Sequence, residues 1–335
     1  MKLTFFLIAV FLILLRFCYP RLDLWHNGRE QGTMITKGDN YIEGIWWSGK
    51  YRLSDDDRSI AEISPGGYLK FRENDTILKA ESDLQGRITY TLNNGREELP
   101  LNDSGRNFMA AQIQKMIRLG FFGEERAERI YRQGGVPALL SELSRIRMEG
   151  GRDPYLNRLF RADTLTVPQR IELLQIVDSS TNTTEQQNLL SRFTRDQLRD
   201  SAVACKWLSA VGQLGQSYMK KDLLLQYLDT TVKPQEPLRA EQFDTVLAIT
   251  GRFESPEDQK EILERLIGLS PGTTAGWTAL IRATGALQPD YIKSELLPKI
   301  ASKMPRTDSL RAAFRMAAKS IQSDNDYGKV MRAVE

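Results

Sequence analysis

The chain has 335 residues, 41% hydrophobic and 27% charged, enough apolar material for one or two packed domains. Its 46 Lys/Arg and 43 Asp/Glu are interspersed and leave a formal charge of +3, which offers no phosphate track, so no nucleic acid is expected as a partner. One His and two Cys exclude His-based zinc sites, Cys/His clusters, a disulfide framework and any triad needing a histidine other than His26.

At the N-terminus, Lys2 precedes the apolar run Leu3 to Leu15, followed by Arg16-Phe17-Cys18-Tyr19-Pro20. No small residues stand where a signal peptidase or a lipoprotein box needs them, so residues 1–22 read as an uncleaved anchor touching the membrane through residues 3–19. The run makes about 20 Å of helix against a hydrocarbon core of ~30 Å, and Phe17 to Tyr19 extend it with Arg16 snorkelling. Charge counting favours a cytoplasmic body, whereas a short apolar segment at the very start acts as an export signal. The expectation is an extracytoplasmic, periplasmic body, with secretion after cleavage and a cytoplasmic-facing body as alternatives. Residues 23–40, with Gly28, Gly32 and Gly38, read as a linker.

Residues 41–103 read as a small antiparallel β-module. Ile45 to Leu53 is aromatic-rich, Ser59 to Ile63 and Tyr68 to Phe71 alternate about a Ser64-Pro65-Gly66-Gly67 turn, and Thr76 to Ala80 and Arg87 to Leu92 add short runs closed by Asn93-Asn94-Gly95. Trp46, Trp47, Tyr51 and Tyr68 are candidate binding residues, because aromatic rings stack on sugars and anchor partners. In a strand Trp46 and Trp47 point to opposite faces, so one fills the core and only the other is available for contact. The run Asp55-Asp56-Asp57 has the oxygen chemistry for a hard cation, but three consecutive carboxylates cannot face one ion unaided, and a solvated turn is the expectation.

Residues 104–335 read as an α-helical repeat domain, with a clear frame over 167–335. An apolar position is followed fifteen residues later by an apolar pair: Leu174 with Leu189-Leu190, Leu208 with Leu223-Leu224, Leu247 with Ile262-Leu263, Ile281 with Leu296-Leu297, and, shifted by one, Phe314 with Val330-Met331. Gly212, Gly251 and Gly285 recur four residues after the first column, where helices must pass closely or turn. Thr183 to Glu185, Ser217, Ser255-Pro256, Pro289-Asp290 and Ser323-Asp324 supply helix starts, and Thr230 to Pro237 is a linker insertion. The fold class is therefore α+β, segregated: a small antiparallel β-module, then a HEAT-like α-solenoid of about five helix pairs.

The stretches SGKYRLSDDDRSIAEISPGGYLKF (Ser48 to Phe71) and IRLGFFGEERAERIYRQGGVPALLSELSRIR (Ile117 to Arg147), the latter followed by Tyr155-Leu156, point to a family. With the repeat frame, they resemble the non-peptidase downstream region of BlaR-type antibiotic-sensing membrane metallopeptidase regulators, found also in stand-alone envelope proteins. The peptidase half is absent, for there is no H-E-x-x-H. The resemblance implies an accessory or sensory region without defined activity and assigns no catalytic residue.

No phosphate-binding glycine loop, nucleophile elbow or C-x-x-C occurs, so no enzyme activity, cofactor or metal is expected. Asp324, Asp326 and Glu335 imitate a calcium loop, but Lys329 stands where its glycine belongs. The arginines at 118, 126, 129, 132, 145 and 147 interleave with Glu124, Glu125, Glu128 and Glu142 as on a solvated helix face. The expected function is a membrane-anchored, non-enzymatic interaction or sensory accessory protein of the bacterial envelope. Its unidentified protein partners would bind the β-module and the concave side of the array. The alternative is a cell-wall glycan or ligand sensor using the aromatics; a carboxylate-dependent hydrolase is a third class.

Overall fold

The computed structural model describes residues 31–38, 41–146, 150–162, 165–178, 182–230 and 238–333. The architecture is α+β and segregated, with eight strands followed by thirteen helices among the described residues. The chain forms two compact units, one running up to Gly135 and adding Arg145–Arg158, the other comprising Val136–Ser144 and the chain from Leu159 onward. The boundary expected at residue 103 thus falls inside the first unit.

The strands of the first unit are β1 (Gln31–Gly38), β2 (Tyr41–Ser48), β3 (Tyr51–Leu53), β4 (Ile60–Ile63), β5 (Tyr68–Glu73), β6 (Thr76–Ser82), β7 (Ile88–Asn93) and β8 (Glu98–Leu99). Six of them form one antiparallel sheet in the order β1-β2-β5-β6-β7-β8, and β3 pairs with β4 as a separate hairpin inserted between β2 and β5. Part of the expected linker is therefore strand: Gly32 and Gly38 suggested a tether, but the intervening Thr33-Met34-Ile35-Thr36 is β-prone and pairs with Glu43 to Trp46 of the neighbouring strand. Gly32 has its own reason, since a side chain there would come within 2.3 Å of the Trp47 ring. The Asn94-Gly95 turn into β8 forms as expected, with Gly95 at φ 83°.

One face of the sheet carries a cross-strand row, Ile45, Phe71, Leu78, Leu92 and Leu99, with a second row of Trp47, Leu69, Ala80 and Tyr90 beside it. Helix α1 (Asp103–Arg118) covers this face with Met109, Ile113, Met116 and Ile117, spaced as a helical stripe. Then follow α2 (Gly123–Leu143), interrupted by Gly135 at φ 62° and ψ −153°, and α3 (Asp153–Phe160). That backbone conformation is essentially restricted to glycine, and the division between the units falls at this residue.

The second unit contains five helix pairs: α4 (Val167–Asp178) with α5 (Thr183–Leu190), α6 (Ser201–Gln213) with α7 (Ser217–Thr230), α8 (Ala240–Thr250) with α9 (Pro256–Leu269), α10 (Thr274–Gly285) with α11 (Asp290–Lys303), and α12 (Asp308–Ala318) with α13 (Asp324–Met331). First helices stack on first helices and second on second, as in an α-solenoid. Asn182, Ser255, Thr273, Thr307 and Ser323 each accept a backbone N–H from the first turn of the helix they precede. The calcium-like segment at 324–335 thus begins as an ordinary capped helix.

The repeat register is sharper than the expected frame. Leu173, Trp207, Val246, Leu280 and Phe314 are all buried and spaced 34, 39, 34 and 34 residues apart, so Phe314 is in register and the common column lies one residue earlier than expected. The column of Leu174, Leu208, Leu247 and Ile281 lies on the same helix face as Gly212 and Gly285 four residues later. That face meets the next first helix: a Cβ on Gly212 would approach Ile249, and one on Gly285 would approach Ala317. In the fifth pair those positions are Arg315 and Lys319, both exposed. The long step contains residues 231–237, which lie outside the described residues.

Gly285 is the tightest crossing of two first helices. An added Cβ would sit 2.8 Å from Ala317 Cβ and 3.1 Å from its Cα, neither of which can swing aside, whereas at Gly212 the nearest atom is Ile249 Cγ1 at 3.3 Å. Gly285→Ala is expected to destabilise by about 1–3 kcal/mol, and Gly212→Ala by less than about 1 kcal/mol. Urea midpoints check the order; equal effects would contradict the crossing geometry.

The expected transmembrane helix is corrected. Among the described residues no helix is long and apolar enough to cross a membrane. The longest, α2, has 21 residues but opens on Glu124 and Glu125 and breaks at Gly135. Residues 3–19, on which the anchor expectation rested, and His26 and Cys18 lie outside the described residues.

Candidate functional site

The four aromatic candidates separate by strand alternation. Trp47 turns to the helix-covered face, where Phe121 meets its ring edge-on at 4.9 Å, and Tyr51 meets Phe122 at 6.2 Å while its hydroxyl donates to Tyr68 O at 2.7 Å. The segment between α1 and α2 carries both phenylalanines, with Gly120 at φ 87° and Phe122 at φ 62° bending the chain onto them. Trp47 and Tyr51 are therefore packing residues. Trp46 and Tyr68 stand on the opposite face, which carries none of the helix-packed core rows.

On that outer face the register aligns Trp46 with Lys70 and Lys79, and Tyr68 with Glu81. A Cβ on Gly44 would lie 2.3 Å from Trp46 Cη2, so the indole occupies the space above a glycine two residues back on its own strand. Lys70 Nζ stands 4.8 Å from the Trp46 ring centroid and Lys79 Nζ 5.7 Å from that of Tyr68. Lys79 also pairs with Glu81 at 2.5 Å, while Lys70 has no carboxylate partner among the described residues. Sequence reading missed both lysines, although the alternation that places Tyr68 outward places Lys70 beside it.

Two polar clusters on the covered side are structural. Glu43 and Glu73 face each other in register, and Lys115 Nζ lies 2.9 Å from each, with Gln112 Nε2 donating to Glu73 at 2.7 Å. Desolvation opposes the ammonium charge, but the hydrogen bonds to Glu43 and Glu73 outweigh it and raise the Lys115 pKa. This clamp ties the two facing carboxylates to one ammonium. The second cluster corrects the solvated acidic turn: Asp55 and Asp56 are exposed, but Asp57 is drawn in by Arg126 and Arg129. No group of His, Cys, Asp and Glu among the described residues could hold a metal ion.

In the helical array the charges of the second helices close on one another. Lys221 reaches Asp258 at 2.8 Å and Glu261 at 3.3 Å, Arg265 reaches Asp229 at 2.7 Å, Lys260 reaches Glu295 at 2.5 Å and Lys299 reaches Glu264 at 2.6 Å. Partly exposed pairs are worth ~0–1 kcal/mol each, so the ladder fixes register more than stability. The first helices instead present an exposed row at one repeat position, Gln175, Ser209, Ala248, Arg282 and Met316, which forms no ion pair among the described residues. Cys205 is half-buried, and burial pushes its thiol pKa up, which keeps it protonated at neutral pH.

The α12–α13 connection depends on one carboxylate. Asp290 accepts the backbone N–H groups of Gln322 and Ser323 at 2.8 and 3.0 Å, and Lys293 Nζ lies 3.2 Å from it while donating to Ser320 O at 2.9 Å. Desolvation tends to raise the Asp290 pKa, but these donors overcome it and hold it below the ordinary 3.8. A depressed folded pKa stabilises above the unfolded value and loses that contribution as pH falls through the folded one. Hydrogen exchange at the Gln322 and Ser323 amides is therefore expected to stay protected at neutral pH and to lose protection below 3.8. Unchanged protection in Asp290→Asn would contradict the assignment.

No family model, no curated protein and no solved structure matches the chain.

Proposed function

We propose that the protein is a non-enzymatic interaction protein whose helical array binds another polypeptide along its first helices. The carrying observation is the contrast between the two helix rows. The second helices spend their charges on neighbouring repeats, whereas the row from Gln175 to Met316 is exposed and mostly uncharged, with the Met316 side chain 67% exposed. Ser209, Ala248 and Met316, small or apolar, let a partner backbone or helix approach closely, and Arg282 is the only charge in the row. The resemblance to an accessory region without defined activity agrees with this reading.

A photo-crosslinking residue placed at Ala248 of the full-length chain is expected to trap a polypeptide partner, and one placed at exposed Asp222 of α7 is not. With the crosslinking residue kept at Ala248, the triple variant Gln175→Glu, Ser209→Glu, Met316→Glu should lose these crosslinks without a change in thermal midpoint. Equal crosslinking from both positions would remove the basis for the proposal.

A further inference from the structure

We propose that the outer face of the sheet is a second binding site, for an acidic polysaccharide, with Trp46 as the stacking platform and Lys70, Lys79 and Arg72 as the carboxylate-binding groups. The face combines two features a sugar acid requires. The first is an indole fixed over a glycine: Gly44 leaves the space that the Trp46 ring fills, which holds the ring in one place before any ligand arrives. The second is an excess of cations. Across the central strands β2, β5 and β6 this face carries Lys70, Arg72 and Lys79 against the single carboxylate of Glu81.

Lys70 and Lys79 are direct cross-strand partners, an arrangement that is unfavourable for like charges unless something neutralises them. Glu81 serves Lys79, whereas Lys70 stands over the Trp46 ring. A carboxylate between the two ammonium groups removes their repulsion, and the sugar ring bearing it lies within reach of the indole. The same face continues into Thr89, Thr91 and Asn93 of β7, neutral hydrogen-bonding side chains suited to hydroxyl groups. An acidic peptide has no equivalent use for a fixed indole beside a row of neutral hydrogen-bonding side chains, which favours the sugar.

The test is calorimetric titration of the full-length protein with oligogalacturonate, a chain of sugar acids. Neutral maltohexaose and poly-glutamate serve as the sugar-only and charge-only arms. Oligogalacturonate is expected to bind and the other two to bind at least about tenfold more weakly. Trp46→Leu and Lys70→Gln are each expected to weaken binding by about tenfold; both residues are half-buried on the outer face, and an unchanged thermal midpoint shows that the fold is retained. Equal binding of poly-glutamate, equal binding of maltohexaose, no binding at all, or full affinity in Lys70→Gln would each overturn the proposal. The triple glutamate variant of the helical array should bind oligogalacturonate normally, so failure of one site is distinguishable from failure of the other.

Discussion

Trp207→Ala is expected to destabilise the helical array by about 3–5 kcal/mol, a large share of the roughly 5–15 kcal/mol that holds a domain folded. The side chain is 1% exposed and occupies the common column of the repeat, between Leu173 of the preceding pair and Val246 of the next. It makes two directed contacts besides its area: Nε1 donates to Leu190 O at 3.0 Å, and the ring stacks on Tyr227 with centroids 5.4 Å apart. Truncation opens a cavity at a junction where two helix pairs meet, and leaves the Leu190 carbonyl without this donor in a buried site. Trp207→Phe keeps most of the volume and the stacking but not the N–H, so its expected cost is about 1–3 kcal/mol. Urea unfolding of the full-length chain measures both. A loss under about 1 kcal/mol for the alanine variant would mean that the column is not the core of the array.

That column also marks how far the sequence could be read. Five copies at a period near 34 were visible because each pair must bury the same stripe, and the doublets from Leu189-Leu190 to Val330-Met331 are buried except for the half-buried Met331. The common column lies one residue before the one that the apolar spacing suggests, because two adjacent apolar positions serve different contacts. Leu173, Trp207, Val246, Leu280 and Phe314 are buried in every pair, while Leu174, Leu208, Leu247 and Ile281 share the face turned to the following first helix and give way to Arg315 in the fifth. Periodicity alone does not separate a residue that packs in every pair from one that packs only where a further pair follows.

In the first unit, alternation showed that Trp46 and Trp47 must part, but not which one goes inward. The deciding groups, Phe121 and Phe122, lie more than seventy residues away in the sequence, on a bend between helices. Gly32 misled for a related reason: a glycine that makes room for an indole looks, in one dimension, like a glycine in a tether. The site lysines were legible in principle, since Lys70 and Lys79 follow the same alternation as Tyr68, but the in-register pairing that sets them opposite each other is tertiary information.

The least legible feature is the latch at Asp57, and its removal carries the second large expected effect. The acidic turn resembled a solvated loop, and the arginine-rich start of α2 resembled a solvated helix. Each is completed by the other: Arg126 Nε lies 2.9 Å from Asp57 Oδ2, Arg129 pairs with Oδ1, Gln114 Nε2 donates to the Asp57 carbonyl at 3.1 Å, and Arg126 also donates to Tyr155 Oη at 2.9 Å. The Arg126 and Asp57 side chains are only 7% and 13% exposed. Asp57 sits at φ 55°, a conformation that Asp and Asn tolerate better than other residues with a β-carbon.

Asp57→Ala is therefore expected to cost about 3–5 kcal/mol, because it takes the carboxylate away from a buried guanidinium and adds backbone strain. Asp57→Asn keeps the backbone tolerance and an acceptor oxygen and should cost less than Asp57→Ala, so the gap between the variants measures strain and lost acceptor apart from charge. Being buried, the pair should respond weakly to salt, and the stability difference between wild type and Asp57→Asn should persist at 1 M ionic strength, where the Debye length is about 3 Å. Urea titrations at low and high salt decide the matter. If Asp57→Ala unfolds within about 1 kcal/mol of wild type, or its deficit vanishes in salt, the ion pair is a surface contact and not what ties the β3–β4 turn to α2.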